Sequence, residues 1–158
     1  MLMEKRSIEH SRIIQTRLVL PPDTNHLDTI FGGKVLAYID EVAALSAMKH
    51  AGGVVVTASI DSVSFLSSAK VGDALTMEAF VTYTGTSSME VYVKVTAHDI
   101  AQDIEMLTTE SFVTMVAVDE YGKPRPVPEV YPETEEEREL HESAPRRKKS
   151  REQSKEGL

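Results

Sequence analysis

The sequence predicts an α+β domain in which a curved antiparallel sheet of about five strands wraps around one long helix. The first observation is a helical pattern over residues 33–51, whose side chains are apolar or small on most sides. The second is a series of segments with alternating apolar side chains, which is typical of strands that bury one face. A helix that is apolar nearly all round must be enclosed, and the strands that follow it supply the cover.

The predicted elements follow one another in a simple order. A first strand covers residues 12–20, and a polar loop over residues 23–33 leads into the helix. Gly52 and Gly53 end the helix. Further strands are predicted at residues 54–65, 75–83, 89–97 and 104–118, with a hairpin turn at residues 84–87. Because about five strands cannot surround such a helix completely, the pattern also predicts a partner subunit.

Composition excludes several classes of function. The chain has 158 residues, no cysteine and a formal net charge of −8. Disulfides and cysteine nucleophiles are excluded, and the negative charge argues against nucleic acid as a partner. The histidines have no metal-ligand spacing, and no nucleotide-binding loop or serine-nucleophile motif occurs. No apolar run is long enough to span a membrane. We therefore expect a cytoplasmic protein with no membrane insertion, no metal and no other cofactor.

The composition changes after Gly122. Residues 123–132 form a proline-rich, extended segment. We expect a folded domain over residues 8–132 and a charged tail over residues 133–158. Because the tail lacks apolar anchors, it is expected to be partly disordered apart from a short helix. The basic cluster at residues 146–149 is expected to be dispensable for folding and catalysis, and an anionic partner for it is the alternative.

Asp40 needs an explanation because it lies in the middle of the predicted helix among small apolar side chains. A carboxylate in such surroundings is unfavourable unless it is paired or used in a reaction. Its small neighbours leave space for a ligand, which favours a catalytic carboxylate. The structural alternative is that Asp40 pairs with a basic group or caps a neighbouring turn.

The loop before the helix offers further candidates. Gly33 lies where the first helical N–H groups lack partners, so its backbone can stabilise an oxyanion, although paired glycines are also typical of a tight turn. Asn25 can polarise a carbonyl or hold a water, and His26 can act as a base, but both also suit an ordinary loop. Asp40 follows Gly33 by two helical turns, roughly 10 Å. Either the substrate spans this gap or the groups come from different subunits.

Two polar groups on the strands are weaker candidates. Ser59 and Asp61 alternate away from their apolar neighbours and can face a site, but a solvated strand face is the simpler interpretation. The hairpin with Ser87 and Ser88 offers hydroxyl and N–H groups suited to an amide or a phosphate. Turns of that composition are usually structural.

Several stretches, taken in order, resemble one family. PPDTNHLDTIFGGKVLAYIDEVAALSAMKHAG is followed by VVTASIDSVSF, GTSSMEVYVKV and GKPRPVPEVYPETEEE. Over residues 8–140 these stretches resemble the hotdog-fold acyl-CoA thioesterases, in particular the cytosolic brain-type hydrolases and their single-domain bacterial relatives. The resemblance implies dimers with a continuous sheet, assembled as a trimer of dimers. It also implies that Asn25 and Asp40 from opposite subunits meet at the thioester.

The same resemblance implies a reaction, the hydrolysis of acyl-CoA to a carboxylic acid and coenzyme A. Asp40 acts in it as general base or as nucleophile. Asn25 polarises the carbonyl or orients the water, and the Gly33 N–H stabilises the oxyanion. Together with the polar hairpin, the resemblance implies that coenzyme A contacts Ser59, Ser87, Ser88 and Lys94.

Two other functions stay open on the sequence alone. A hotdog hydratase or dehydratase needs a histidine near the substrate, and His26 is the nearby candidate. A noncatalytic acyl-CoA-binding or regulatory module is the second, against which the joint presence of Asn25 and Asp40 argues. Asp28 departs from the family, in which a small residue, commonly glycine, occupies this place. Its negative charge is expected to affect coenzyme A binding or the loop more than the fold.

Overall fold

In the computed structural model, which describes residues 3–156, a five-stranded antiparallel sheet wraps around one long helix. The strand order is β2-β4-β5-β6-β3, and the short strands β1 and β7 pair in parallel beside it. The predicted fold class is confirmed, and the helix and strand ends lie close to those expected. In chain order the elements are β1 (Arg6–Ser7), β2 (Ile13–Leu18), α1 (Gly32–Ala51), β3 (Val55–Phe65), β4 (Ala74–Thr84), β5 (Ser88–Asp99), β6 (Ile104–Ala117), β7 (Val130–Tyr131) and α2 (Glu135–Glu156).

Helix α1 lies at the centre of the core because its sequence carries a broad apolar arc. Val35, Ile39 and Val42 are buried along this arc. The helix ends at Gly52, whose left-handed backbone (φ 76°) lets its N–H bond to the carbonyl of Met48. The alternating residues of the strands supply the other half of the core, namely Leu75, Met77, Ala79, Val91, Val93, Val95, Val113 and Met115.

The cover around α1 is incomplete on one side. Strand β3 lies at an edge of the sheet, and its register is shared with β6 alone. Val56 and Phe65 on this strand remain about half exposed, at 48% and 54%. An edge strand with free backbone groups and exposed apolar side chains is a surface suited to further pairing. A single chain leaves this edge open.

The proline-rich segment crosses the C-terminal end of α1. The Arg125 guanidinium donates to the carbonyl of Ala51 at 3.2 Å, and its backbone N–H bonds to the Ala117 carbonyl at 2.9 Å. The fully buried His50 lies within 2.7 Å of the Pro128 carbonyl through Nε2. Burial lowers the pKa of His50 below its ordinary value. Because a carbonyl oxygen can only accept, Nε2 is the donor, and burial favours the neutral imidazole.

The C-terminal segment differs most from the sequence-based expectation. Residues expected to be partly disordered apart from a short helix form α2, which continues through Pro145. One face of α2 lies on the outer face of the sheet, the face turned away from α1. Neither α2 nor any other helix within residues 3–156 has the length and apolar character of a membrane span. The residues of α2 that face the sheet recur at helical spacing. They are Glu137, Leu140, His141, Ala144, Arg147 and Arg151.

Charged side chains hold α2 on the sheet. Arg147 donates to both oxygens of Glu90, at 3.0 and 2.8 Å, and its guanidinium lies 4.1 Å from the ring centre of Phe112. Nearer the start of α2, Arg12 donates to Glu137 at 3.1 Å. The side chains of Glu90 and Glu137 are each only 2% exposed. Ion pairs thus add to the few apolar contacts of α2, those of Leu140 and Ala144. Arg147 is not a free solubilising charge.

Candidate active site

Asp40 lies half-buried in the middle of α1, on the side that faces β3. The hydroxyl of Thr57 donates to Asp40 Oδ1 at 2.6 Å. Within the described residues, Asp40 Oδ2 makes no hydrogen bond, and no basic side chain pairs with Asp40. The carboxylate is therefore oriented by one hydroxyl and keeps one oxygen available for a substrate or a water.

The sequence pattern does not single out Thr57. It lies near the start of β3, immediately before a bulge that separates it from Ser59 in the pairing with β6. In the sequence it is one β-branched residue among several in a strand, so its type does not mark it. The signal that can find it is the short turn between α1 and β3. This turn folds the strand back along the helix and brings an inward hydroxyl opposite Asp40.

Asn25 organises the loop before α1. Its Oδ1 accepts hydrogen bonds from the Leu27 N–H at 2.8 Å and from the Thr29 N–H and hydroxyl at 3.3 and 3.2 Å. The amide oxygen therefore has the structural role that turns commonly give asparagine, while its NH₂ group makes no hydrogen bond within residues 3–156. Asp28 has a φ of 59°, the left-handed region that favours glycine and tolerates aspartate. His26 is exposed on the same loop.

Gly33 lies exposed in the first turn of α1. A Cβ at this position would meet no atom within 4 Å, so a ligand has room to approach the first helical N–H groups. Phe65 borders the same opening, because a Cβ on Gly32 would lie 3.5 Å from its ring. No hydrogen bond joins Asp40 to Asn25 or Gly33 within the described part of one chain. The structure leaves these three groups separate, as helix geometry predicts.

Two of the serines expected to contact coenzyme A share a small cavity. Ser59 and Ser88 line a space of about 150 Å³ between the sheet and α2. The hydroxyl of Ser59 donates to Asp61 Oδ1, and Arg151 contributes another wall. This cavity lies on the outer face of the sheet, whereas Asp40 lies on the inner side. Within one chain the two sites are separated by the sheet.

Lys94 is not brought together with these serines. It follows Ser88 by six residues on β5, about 20 Å along an extended strand. Its Nζ lies 4.0 Å from Glu78 Oε1, while Ser87 belongs to the hairpin and accepts a bond from the Ala117 N–H at 2.9 Å. Within one chain, Lys94 therefore does not lie beside the serine hairpin. The basic side chains beside Ser88 are Lys148 and Arg151 of α2.

The arrangement suits chemistry at a carbonyl carbon. A carboxylate with a free oxygen can act as a base or a nucleophile. Amide and helix N–H groups can stabilise the negative charge that develops on the carbonyl oxygen. Among residues 3–156, no three acidic or histidine side chains cluster closely enough to hold a metal ion.

Known proteins with similar sequences carry related descriptions. Residues 27–103 match the profile of the thioesterase superfamily. Over 148 residues the chain is 47% identical to an uncharacterized acyl-CoA thioester hydrolase of Bacillus subtilis, covering 94% of this chain and 86% of that protein. Over 141 residues it is 32% identical to the cytosolic acyl coenzyme A thioester hydrolase of Mus musculus, covering 88% of this chain and 37% of that protein.

Solved structures agree with these relatives. An apo-hexameric acyl-CoA thioesterase superposes with a TM-score of 0.95 at 66% identity, covering 96% of this chain and 97% of the other. The acyl-CoA hydrolase from Staphylococcus aureus, in complex with butyryl coenzyme A, coenzyme A and coenzyme A disulfide, gives 0.91 at 47% identity, covering 96% and 92%. Other structures of that enzyme carry single alanine substitutions of an aspartate, a threonine or an asparagine. With the helix-in-sheet fold described above, these similarities show that the chain belongs to the hotdog-fold acyl-CoA thioester hydrolases of the thioesterase superfamily.

Proposed function

We propose that this protein hydrolyses acyl-CoA thioesters at an active site shared by two subunits. The observation that carries the proposal is the carboxylate of Asp40, oriented by Thr57 and left with a free oxygen beside an open sheet edge. The substituted asparagine, aspartate and threonine of the S. aureus hydrolase are separated by 15 and 17 residues, as are Asn25, Asp40 and Thr57 here. This agreement supports the three residues as one catalytic set.

The reaction consumes one acyl-CoA and one water and releases a carboxylic acid and coenzyme A. In the base route, Asp40 takes a proton from water while the water oxygen bonds to the thioester carbon. The C–S bond then breaks, and the sulfur leaves with that proton. In the nucleophile route, Asp40 itself bonds to the carbon and displaces the thiolate, and water then hydrolyses the anhydride. Label found in the Asp40 carboxylate after a single turnover in oxygen-labelled water identifies the nucleophile route, because only attack of water on the aspartyl carbon of the anhydride puts it there.

Asn25 and Gly33 take the role of charge stabilisation. The Asn25 oxygen is engaged in its own turn, which fixes the direction of its NH₂ group. That NH₂ group and the Gly33 N–H are donors for the thioester oxygen, which carries more negative charge in the transition state than in the substrate. Asn25 and Asp40 make no contact within one chain, which supports their meeting across a subunit interface.

The shared site requires a dimer, and the open edge of β3 is the proposed contact. Val56 and Phe65 on this edge are half exposed, and pairing two copies of β3 would cover them in one continuous sheet. The hexameric relative supports a trimer of such dimers. The name of the mouse relative supports a cytoplasmic location. Water is the second substrate, and we propose no metal or other cofactor.

Coenzyme A is proposed to contact Ser59, Ser87, Ser88 and Lys94, as the sequence predicts. The complexes of the S. aureus hydrolase support a coenzyme A site in a close relative. If the hairpin contributes to binding, the double substitution Ser87→Ala with Ser88→Ala should raise the KM for acyl-CoA. Lys94→Ala tests the fourth residue, and a KM equal to that of the wild type would exclude Lys94 from the site.

The direct test of function is thiol release from a chain-length series of acyl-CoAs. Asp40→Asn should lower kcat by at least about a hundredfold, the scale for losing a general base. Asn25→Ala should lower kcat by about a hundredfold, the scale for losing one oxyanion donor. Both variants should keep the wild-type oligomer and circular dichroism. His26→Ala serves as the control for a hydratase-like mechanism and should remain active.

The shared site has its own geometric test. A mixed dimer of Asp40→Asn and Asn25→Ala subunits places both lesions in one site and leaves the other site intact. Subunit exchange between the two inactive variants should therefore restore thiol release. If mass spectrometry detects the mixed dimers but activity does not return, the two groups do not meet across the interface.

A further inference from the structure

The structure assigns a catalytic consequence to the contact between α2 and β3. We propose that Arg151 is a positioning residue, which acts through Asp61 to hold β3 in the bulged conformation that presents Thr57 to Asp40. The inference rests on the proposed function of the Asp40–Thr57 pair. It gives the charged C-terminal segment a role in turnover, although its face of the sheet lies opposite the active site.

Strand β3 is irregular immediately after Thr57. Its pairing with β6 is shifted between Thr57 and Ser59 and again between Ile60 and Ser62. In a regular strand, residues 57 and 59 would point to the same face. Here Thr57 points inward to Asp40, whereas Ser59 lines the cavity beneath α2. The first bulge separates the two directions, which is a common use of bulges next to active sites.

The side chain of Asp61 stabilises the bulged part of β3. Its Oδ2 accepts a hydrogen bond from Thr114 of β6 at 2.7 Å, and its Oδ1 accepts one from Ser59. Asp61 therefore links two residues within β3 and also links β3 to β6. It does so where the regular hydrogen bonding between these two strands is interrupted. The side chain is only 9% exposed. A carboxylate at that depth needs a counter-charge to remain in place.

Arg151 supplies the counter-charge. Its Nε lies 3.3 Å from Asp61 Oδ2, and its terminal nitrogen donates to Glu90 Oε2 at 3.1 Å. Glu90 is held in turn by Arg147 and by the Thr82 hydroxyl, which donates at 2.6 Å. The guanidinium of Arg151 is thus held by a buried carboxylate of β5, that of Glu90, and pairs at the same time with Asp61 of β3. A continuous set of contacts runs from α2 through Asp61 to the bulge beside Thr57.

The test is Arg151→Met, which keeps an unbranched stem, removes the guanidinium and leaves the Arg147–Glu90 pair intact. We expect kcat for acyl-CoA hydrolysis to fall by about tenfold, since small misplacement of a catalytic group has effects of this order. The KM is measured as well, because Arg151 also lines the cavity with Ser59 and Ser88. A fall in kcat supports the positioning role, whereas a raised KM with an unchanged kcat would show that Arg151 binds coenzyme A instead. Arg151→Lys should recover part of kcat through a single ion contact. Arg146→Met removes an exposed charge from the same helix and should match the wild type.

Two measurements separate positioning from a general structural role. If Arg151 acts through Thr57, Arg151→Met should cause no further fall in kcat in a Thr57→Ala background. Hydrogen exchange over residues 56–62 should be faster in Arg151→Met than in Arg146→Met, while exchange within α1 stays the same.

Several outcomes overturn the inference. These are an unchanged kcat in Arg151→Met, an equal fall in kcat with and without Thr57, or exchange over residues 56–62 that matches the Arg146→Met control. If the wild-type protein releases no thiol from any acyl-CoA, the proposed function fails instead. Hydrogen exchange then still decides whether Arg151 holds the bulge.

Discussion

The two long helices, of 20 and 22 residues, are held against the same sheet by opposite means. Helix α1 buries aliphatic side chains such as Ile39 and Val42 on the inner face. Helix α2 lies on the outer face and is fixed by arginines on buried carboxylates, chiefly Arg147 on Glu90. Apolar burial needs only a periodic pattern within the helix itself. Ion-pair docking needs partners that are distant in the sequence. A charged helix can therefore be held firmly on a sheet although its own sequence gives no sign of it.

The largest loss of stability is expected when the apolar packing of α1 is disrupted. Ile39→Ala removes three carbons from a fully buried position and should lower the free energy of unfolding by about 2–5 kcal/mol. Urea unfolding followed by circular dichroism measures the change. Lys49→Ala on the exposed side of α1 is the control and should stay within about 0.5 kcal/mol of the wild type. An equal loss in the two variants would show that α1 is not held by its apolar arc.

A smaller effect is expected on the ionic side. Arg147→Met leaves Glu90 buried with Arg151 and Thr82 as its remaining partners, and should cost about 1–3 kcal/mol. Limited proteolysis should then cleave within α2 sooner than in the wild type. Arg146→Met removes an exposed charge and should change neither measurement. If the two variants behave alike, the ion pair does not dock α2, and the sequence-based expectation of a dispensable basic cluster stands.

The smallest effect concerns pH and the C-terminal end of α1. Because burial lowers the pKa of His50 in the folded protein, the unfolded chain takes up a proton first as the pH falls. The stability linked to His50 is therefore fully present above its ordinary pKa of about 6.5 and is lost as the pH falls below it, with a slope of at most about 1.4 kcal/mol per pH unit. His50→Gln can still donate to the Pro128 carbonyl and should flatten this part of the profile. A profile unchanged by the substitution would mean that His50 does not titrate on unfolding.

Most of the fold was predictable because the hydrophobic pattern determines it locally. The apolar arc of α1 and the alternating strands β4 and β5 are visible within short windows of sequence. Asp40 could be identified as a candidate for the complementary reason, since a carboxylate within an apolar helix stands out. Thr57 was not, because a threonine in a strand is ordinary until the bulge and the turn from α1 set its direction. The docking of α2 was hidden because Glu90 lies far from Arg147 in the chain, and because the charged tail shows few apolar anchors.

The open edge of β3 has a consequence for the newly made protein. A folded chain that has not yet met its partner displays an 11-residue strand whose backbone groups are free to template other strands. The valine, isoleucine and phenylalanine side chains of this strand favour association with such strands. The two bulges and Asp61 oppose it, because they make the edge irregular. Association with the correct partner therefore competes with aggregation during synthesis. Rapid, high-level expression should favour insoluble material, and slower synthesis should raise the soluble fraction.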